Sequence, residues 1–144
     1  RDTARAIGWF ELWNEPDNPP WFFTGSKEDY FEIYRWGVQG IREGNPEALV
    51  GGPALAYASK DWFLPFLDFV QANRLPLDFL SLHNYSSPGP AIENARSLLR
   101  DRPELAAVEL MMTEYNSYVP QTPDFSFAGR VEDYRGASRL LHDF

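Results

Sequence analysis

The sequence predicts an α/β fold in which a parallel sheet is covered by helices. Short apolar segments alternate strictly with longer amphipathic ones, four of each kind, which is the pattern of repeated strand–helix units. The apolar segments are nearly continuous, as expected for strands that are buried on both faces. Two architectures fit: an open doubly wound sheet, or part of a (β/α)₈ barrel, which typically takes about 250 residues, whereas this chain has 144.

The first unit starts with a strand predicted over residues 7–13. The strand must stop near Pro16, because proline has no backbone N–H and disfavours a helical residue before it. Ser26 with Asp29 three residues later is the pattern of a capping box, which predicts the start of a helix. Residues 44–46 (GNP) predict the end of that helix.

The next three units follow the same order. Aromatic and aliphatic residues recur at helical spacing in their amphipathic segments, so these stripes are predicted to face the core. The further predicted elements are strands over 48–52, 77–82 and 108–113, and helices over 61–73, 91–102 and from about Val131 onwards.

Composition and charge exclude several classes of function. Thirteen basic residues against 21 acidic ones give a formal charge of −8, which argues against nucleic acid or an anionic membrane as a partner. The absence of cysteine excludes disulfides, thiolate metal sites and cysteine nucleophiles. No apolar run approaches the ~20 residues of a membrane span. The chain is therefore predicted to be soluble, and its composition suits a cytoplasmic or a secreted protein equally.

Polar side chains cluster where three of the predicted strands end: Asn14 and Glu15, His83 and Tyr85, Glu114 and Asn116. In both architectures the carboxyl ends of parallel strands form the ligand-binding edge. Two glutamates that face each other over a cleft suit glycoside hydrolysis, which uses two carboxyl groups and needs no metal. The alternative is that Glu15 and Glu114 are solvated strand-end residues. Spacing alone leaves both interpretations open.

Four segments also resemble a known family. Residues 10–16 (FELWNEP) resemble the Asn-Glu-Pro signature of the clan A glycoside hydrolases, which are (β/α)₈ barrels. Residues 50–54 (VGGPA), 76–85 (PLDFLSLHNY) and 113–118 (TEYNSY) resemble the fifth, sixth and seventh strand segments of family 39, the β-xylosidase and α-L-iduronidase family. The agreement is best with the β-xylosidase branch. The resemblance implies that the chain covers strands 4 to 7, about half of such a barrel.

The resemblance also implies roles for individual residues. Glu15 would be the general acid/base and Glu114 the nucleophile of a retaining mechanism, so Glu114 must be ionised while Glu15 is protonated. Asn14 would bind the sugar 2-hydroxyl, His83 would contact the sugar, and Tyr85 would lie near the nucleophile. No cofactor and no metal are expected, and the expected partner is a carbohydrate substrate.

Two of these side chains have simpler explanations. His83 could be a core histidine whose nitrogens are satisfied by neighbours. Trp13 is a candidate for stacking on a sugar ring, and ordinary packing is the alternative, since tryptophan is usually mostly buried.

The sequence thus predicts a single partial glycosidase catalytic domain over residues 1–144, truncated at both ends, with xylosides as the first substrate choice. One rival is an α-L-iduronidase-like or endo-acting enzyme of the same family. An iduronidase needs a basic residue to meet the uronate carboxylate, and none stands out among the strand-end motifs. Another rival is a catalytically inactive carbohydrate-binding fragment. If these units were the whole molecule, its exposed strand edges would invite self-association.

Overall fold

The structure, a computed structural model, describes residues 7–85 and 88–115. It contains three helices and four strands in strict alternation within that part of the chain. In chain order they are β1 (Trp9–Glu11), α1 (Lys27–Gly44), β2 (Leu49–Leu55), α2 (Lys60–Asn73), β3 (Phe79–Asn84), α3 (Pro88–Arg100) and β4 (Glu109–Tyr115), with a short 3₁₀ turn (Pro103–Leu105) before β4. The predicted final helix from about Val131 and the strand-end Asn116 lie outside the described residues.

All the described strands are parallel, and each lies beside the strand that precedes it in sequence, in the order β1-β2-β3-β4. A doubly wound sheet reverses its strand order at a switch point, which is where its ligand binds. This sheet has no reversal among the described strands. Its winding is that of consecutive units in a (β/α)₈ barrel, the second of the two predicted architectures.

The sheet curls, so side chains from its first and last strands meet. The Thr113 hydroxyl on β4 donates a hydrogen bond to Oε1 of Glu11 on β1, 2.8 Å away, although β2 and β3 lie between these strands. The rings of Trp9 and Phe79, on β1 and β3, have centroids 5.5 Å apart. These four side chains define the concave face of the sheet, called the inner face below.

The opposite, outer face of the sheet packs against the helices and forms the core. Aliphatic side chains that alternate with the inner ones, among them Val50, Leu80 and Leu82, are fully buried there. The predicted helical stripes of α1 and α2 supply the facing aromatics, and the Tyr34 and Phe66 rings meet edge-on with centroids 4.9 Å apart. Burial of this apolar surface is the main stabilising contribution to the fold.

Capping residues and apolar periodicity in the sequence predicted the three described helices to within about three residues at each end. The predicted capping box starts α1: Ser26 Oγ accepts the Asp29 N–H at 3.1 Å, and an Asp29 oxygen accepts the Ser26 N–H at 2.7 Å. Pro65 lies inside α2 and cannot donate to the carbonyl of Asp61 one turn earlier, which accepts a hydrogen bond from the Lys27 ammonium at 2.6 Å instead. No helix in the described ranges is long and apolar enough to cross a membrane.

The bounds of all four strands differ from prediction. β3 covers 79–84 rather than 77–82, and β4 covers 109–115 rather than 108–113. β1 covers only Trp9–Glu11 of the predicted 7–13. At its carboxyl end the backbone leaves the extended conformation by Trp13, whose φ is 77°. β2 runs beyond the predicted end at Gly52 to Leu55, and its register with β3 shifts between those two residues. The irregularity allows the strand to continue through Pro53, which cannot donate to a regular ladder.

Candidate active site

Glu15 is held at the carboxyl end of β1 by an unusual backbone. Its φ is 46°, in the left-handed region that residues with a Cβ seldom adopt, and its N–H donates to the Ala54 carbonyl oxygen at 3.0 Å. Ala54, at the end of β2, also has a positive φ, of 54°. Such strain persists only where the surroundings enforce it, and it concentrates at functional sites.

Both carboxylate oxygens of Glu15 have partners. The Asn18 side-chain amide donates to Oε2 at 2.8 Å, and Nδ1 of His83 lies 2.9 Å from Oε1. The residue is only 6% exposed. Because its two oxygens are engaged from different sides, the Glu15 carboxyl group has one defined orientation.

A β-bulge brings Glu114 to the same place. Leu82 of β3 pairs with Met112 of β4, but the next residue, His83, pairs with Glu114. Thr113 is therefore an extra residue in β4. In a regular strand Glu114 would follow Met112 onto the helix-covered outer face, since alternate side chains share a face. The bulge places Thr113 and Glu114 on the inner face together.

Glu114 meets two side chains from β3 and the loop after it. The Tyr85 hydroxyl donates a hydrogen bond to Oε2 of Glu114, and His83 Nδ1 lies 3.7 Å from the same oxygen. Desolvation raises the pKa of Tyr85 to about 12, helped by its hydrogen bond to Glu114 and by the charges of Glu114 and Glu15. Tyr85 is therefore a neutral hydrogen-bond donor at physiological pH.

The structure thus brings together four of the predicted site residues from three strands. One oxygen from Glu15, one from Glu114 and one ring nitrogen of His83 all lie within 4.8 Å of one another. His83 is fully buried between the two glutamates, and its Nε2 has no hydrogen-bond partner among the described residues. This trio is close enough to coordinate a metal ion. It also fits a pair of carboxyl groups that act on one bond, with a histidine that orients them.

The comparison with known proteins identifies the family. Residues 5–118 match the model of the glycosyl hydrolases family 39. The chain belongs to this family. The match includes all the residues of the site described above.

Similarity to individual proteins supports this family assignment. A β-xylosidase of Geobacillus stearothermophilus is 31% identical over 79% of this chain, which spans 27% of that protein's length. The structure of a β-xylosidase of Caulobacter crescentus is 28% identical, with a TM-score of 0.67 over 94% of this chain and 29% of its own. An endo-β-1,3-glucanase of Amycolatopsis mediterranei, crystallised with laminarihexaose, is 20% identical and shares the fold. Its TM-score is 0.55, over 81% of this chain and 47% of the glucanase chain. The predicted partial (β/α)₈ barrel is confirmed.

The two remaining predicted residues of the family 39 site lie next to Glu15. Asn14 is half buried. Trp13 is 46% exposed, its indole N–H donates to the Phe22 carbonyl at 3.1 Å, and its ring meets Phe23 edge-on with centroids 5.6 Å apart. Packing thus fixes the Trp13 ring while about half of it stays open to solvent.

Sequence reasoning missed two side chains of the site, Asp17 and Asn18. Asn18 binds the Glu15 carboxylate, as described. Asp17 accepts the N–H groups of Ala56 and Tyr57, at 2.8 and 3.0 Å, from the loop after β2. The sequence did indicate polar contacts here, because Asp17 and Asn18 follow Pro16, and aspartate and asparagine in turns commonly form hydrogen bonds with nearby polar groups. The sequence pattern did not predict which groups Asp17 and Asn18 would bind.

Proposed function

We propose that the protein carrying this chain is a retaining glycoside hydrolase of the β-xylosidase type. The observation that carries the proposal is the approach of Glu15 and Glu114, whose nearest oxygens lie within 4.8 Å. Retaining glycosidases hold their carboxyl groups about 5–5.5 Å apart, whereas inverting enzymes leave about 6.5–9.5 Å for a water molecule. The curated β-xylosidase relative supports xylosides as the substrate class.

In the first step the Glu114 carboxylate attacks the anomeric carbon. The glycosidic C–O bond breaks as Glu15 donates its proton to the departing oxygen, which leaves a glycosyl ester on Glu114. In the second step Glu15, now a carboxylate, takes a proton from water. The resulting oxygen nucleophile attacks the anomeric carbon and releases Glu114, so the sugar keeps its anomeric configuration.

The neighbours of the two glutamates suit these roles. Tyr85 donates to Glu114, and this hydrogen bond restrains the orientation of the carboxylate that would attack. Glu15 is buried and held by Asn18 and His83, so its proton can be aimed at one oxygen of the substrate. Asn14 remains the predicted partner of the sugar 2-hydroxyl. Contact of the buried His83 with the sugar also remains a prediction.

The charges around the site favour a neutral sugar over a uronate. Among the described residues, the contacts of Glu15, Glu114, His83 and Tyr85 include no lysine or arginine. Recognition of a uronate carboxylate normally uses such a cation. This supports a xyloside over an iduronide as the substrate.

The test is kinetic, on the full-length protein with a panel of aryl β-xylosides and other aryl glycosides. Glu15→Gln should lower kcat/KM on unactivated substrates by about 10²–10⁴-fold, the usual contribution of general acid catalysis. Glu114→Gln should abolish turnover of every substrate. Glu28→Gln, an exposed glutamate in the first turn of α1, is the matched control. Near-wild-type rates for both site variants would refute the proposal.

A further inference from the structure

We propose that Asp17 is a positioning residue for the general acid, which it serves by locking the loop after β2 against the loop that carries Glu15. This inference rests on the function proposed above. Asp17 touches neither of the two reacting carboxylates through a hydrogen bond. Its effect on the reaction passes through the backbone.

The Asp17 carboxylate binds two consecutive backbone amides of the loop after β2. Oδ1 accepts the Ala56 N–H at 2.8 Å, and Oδ2 accepts the Tyr57 N–H at 3.0 Å. Two parallel bonds from one carboxylate to consecutive amides restrain both position and direction. Charge-assisted bonds of this kind are stronger than those between neutral groups.

A backbone hydrogen bond connects this Asp17 clamp to Glu15. Two residues before Ala56, the Ala54 carbonyl accepts the Glu15 N–H at 3.0 Å. The Asp17 clamp and this bond therefore join the same two short segments, residues 15–17 and 54–57. Glu15 and Ala54 both have left-handed φ angles, of 46° and 54°. Release of the clamp would let these backbones relax, and the Glu15 carboxyl group would move with them.

The clamp holds the Asp17 carboxyl group in an electrostatically unfavourable place. Desolvation raises the pKa of Asp17, and the charge of nearby Glu15 adds to the rise, while the bonds from Ala56 and Tyr57 lower it. The Asp17 carboxyl group thus lies half buried beside another acidic group, an unfavourable environment that its two backbone hydrogen bonds offset. Residues that break local rules in this way are expected at functional sites.

The experiment compares substrates that differ only in the leaving group. A dinitrophenyl β-xyloside releases a phenolate that needs no proton, whereas xylobiose must receive one from Glu15. The value of kcat/KM reports the steps up to the glycosyl-enzyme. The readout is the ratio of the two kcat/KM values, which is independent of how much enzyme is folded, and a purely structural role would leave it unchanged.

Asp17→Asn keeps the shape of the side chain but turns one acceptor into a donor that faces an N–H. We expect kcat/KM on xylobiose to fall by about 10- to 100-fold, the scale of a misplaced catalytic group, while the dinitrophenyl substrate changes little. Asp17→Ser, which retains one acceptor, should give an intermediate ratio and serves if the asparagine variant does not fold. Asp101→Asn, an exposed aspartate just after α3, is the control and should leave the ratio unchanged.

An unchanged ratio in both Asp17 variants would overturn the inference. Glu15→Gln in the same assay separates this result from failure of the proposed function. If Glu15→Gln shifts the ratio and the Asp17 variants do not, Glu15 is the acid and Asp17 does not position it. If Glu15→Gln leaves the ratio unchanged, the proposed function itself fails.

Discussion

At the scale of single residues, the hydrogen bond from Tyr85 to Glu114 is a contact whose effect on a pKa can be measured. Desolvation and the hydrogen bond to Glu114 raise the pKa of Tyr85 to about 12. The neutral phenol is thus retained as a hydrogen-bond donor to Glu114. His83, 3.7 Å from the same Glu114 oxygen, adds a second polar neighbour. Because Glu114 contributes to the raised pKa of Tyr85, a titration of Tyr85 tests the contact between the two side chains.

Removal of the carboxylate charge should lower the pKa of Tyr85 from about 12 toward the ordinary value of about 10. Glu114→Gln makes this change, because a neutral amide does not repel the Tyr85 phenolate and is a weaker hydrogen-bond acceptor for the phenol than a carboxylate is. The tyrosinate absorbance of Glu114→Gln, minus that of Glu114→Gln with Tyr85→Phe, isolates this one titration. Glu28→Gln with and without Tyr85→Phe is the control pair. An identical titration in the two backgrounds would contradict the contact.

At the scale of elements, β4 shows what periodicity could not reveal. Regular alternation would place Glu114 on the outer face with Leu110 and Met112, which pack against the core. Only the bulge at Thr113 turns Glu114 to the inner face. Bulges of this kind are common beside active sites because they re-aim a side chain. β2 has a second irregularity between Gly52 and Leu55. Just before it, at Gly51, the close approach of β2 to β3 depends on glycine.

Gly51→Ala should destabilise the sheet. A Cβ at this position would lie 2.3 Å from the Phe79 carbonyl oxygen and 2.5 Å from its ring, so β2 and β3 would have to separate at a cost of about 1–3 kcal/mol. Gly40→Ala is the matched control, because nothing lies within 4 Å of its Cβ, and alanine in a helix is better than glycine by about 1 kcal/mol. Denaturant unfolding of both variants measures this. Equal midpoints would contradict the packing described here.

At the scale of the whole molecule, the order of elements followed from the sequence, but the details of the site did not. Apolar runs and helix caps such as Ser26 act within a few residues, so they predicted the alternation and, through it, the parallel sheet. The positions of Glu15 and Glu114 at strand ends followed from the same pattern. The Asp17 bonds to Ala56 and Tyr57 join residues about 40 apart, and a local pattern cannot encode such a pairing.

The comparisons support the barrel architecture that the strand order indicates, and they establish the family. The family match over residues 5–118 and the similarity to a β-xylosidase structure over 94% of this chain identify the sheet as part of a barrel. The chain spans 27% of the length of its curated β-xylosidase relative.

The most direct test of the central claim is capture of the covalent intermediate. A 2-fluoro xylosyl fluoride slows both steps but lets the first proceed, so a retaining enzyme accumulates its glycosyl ester. After proteolysis, mass spectrometry should find one fluoroxylosyl group on the peptide that contains Glu114, and Glu114→Gln should remain unlabelled. If the enzyme hydrolyses xylosides but forms no adduct, or forms it on another carboxylate, Glu114 is not the nucleophile and the account is wrong.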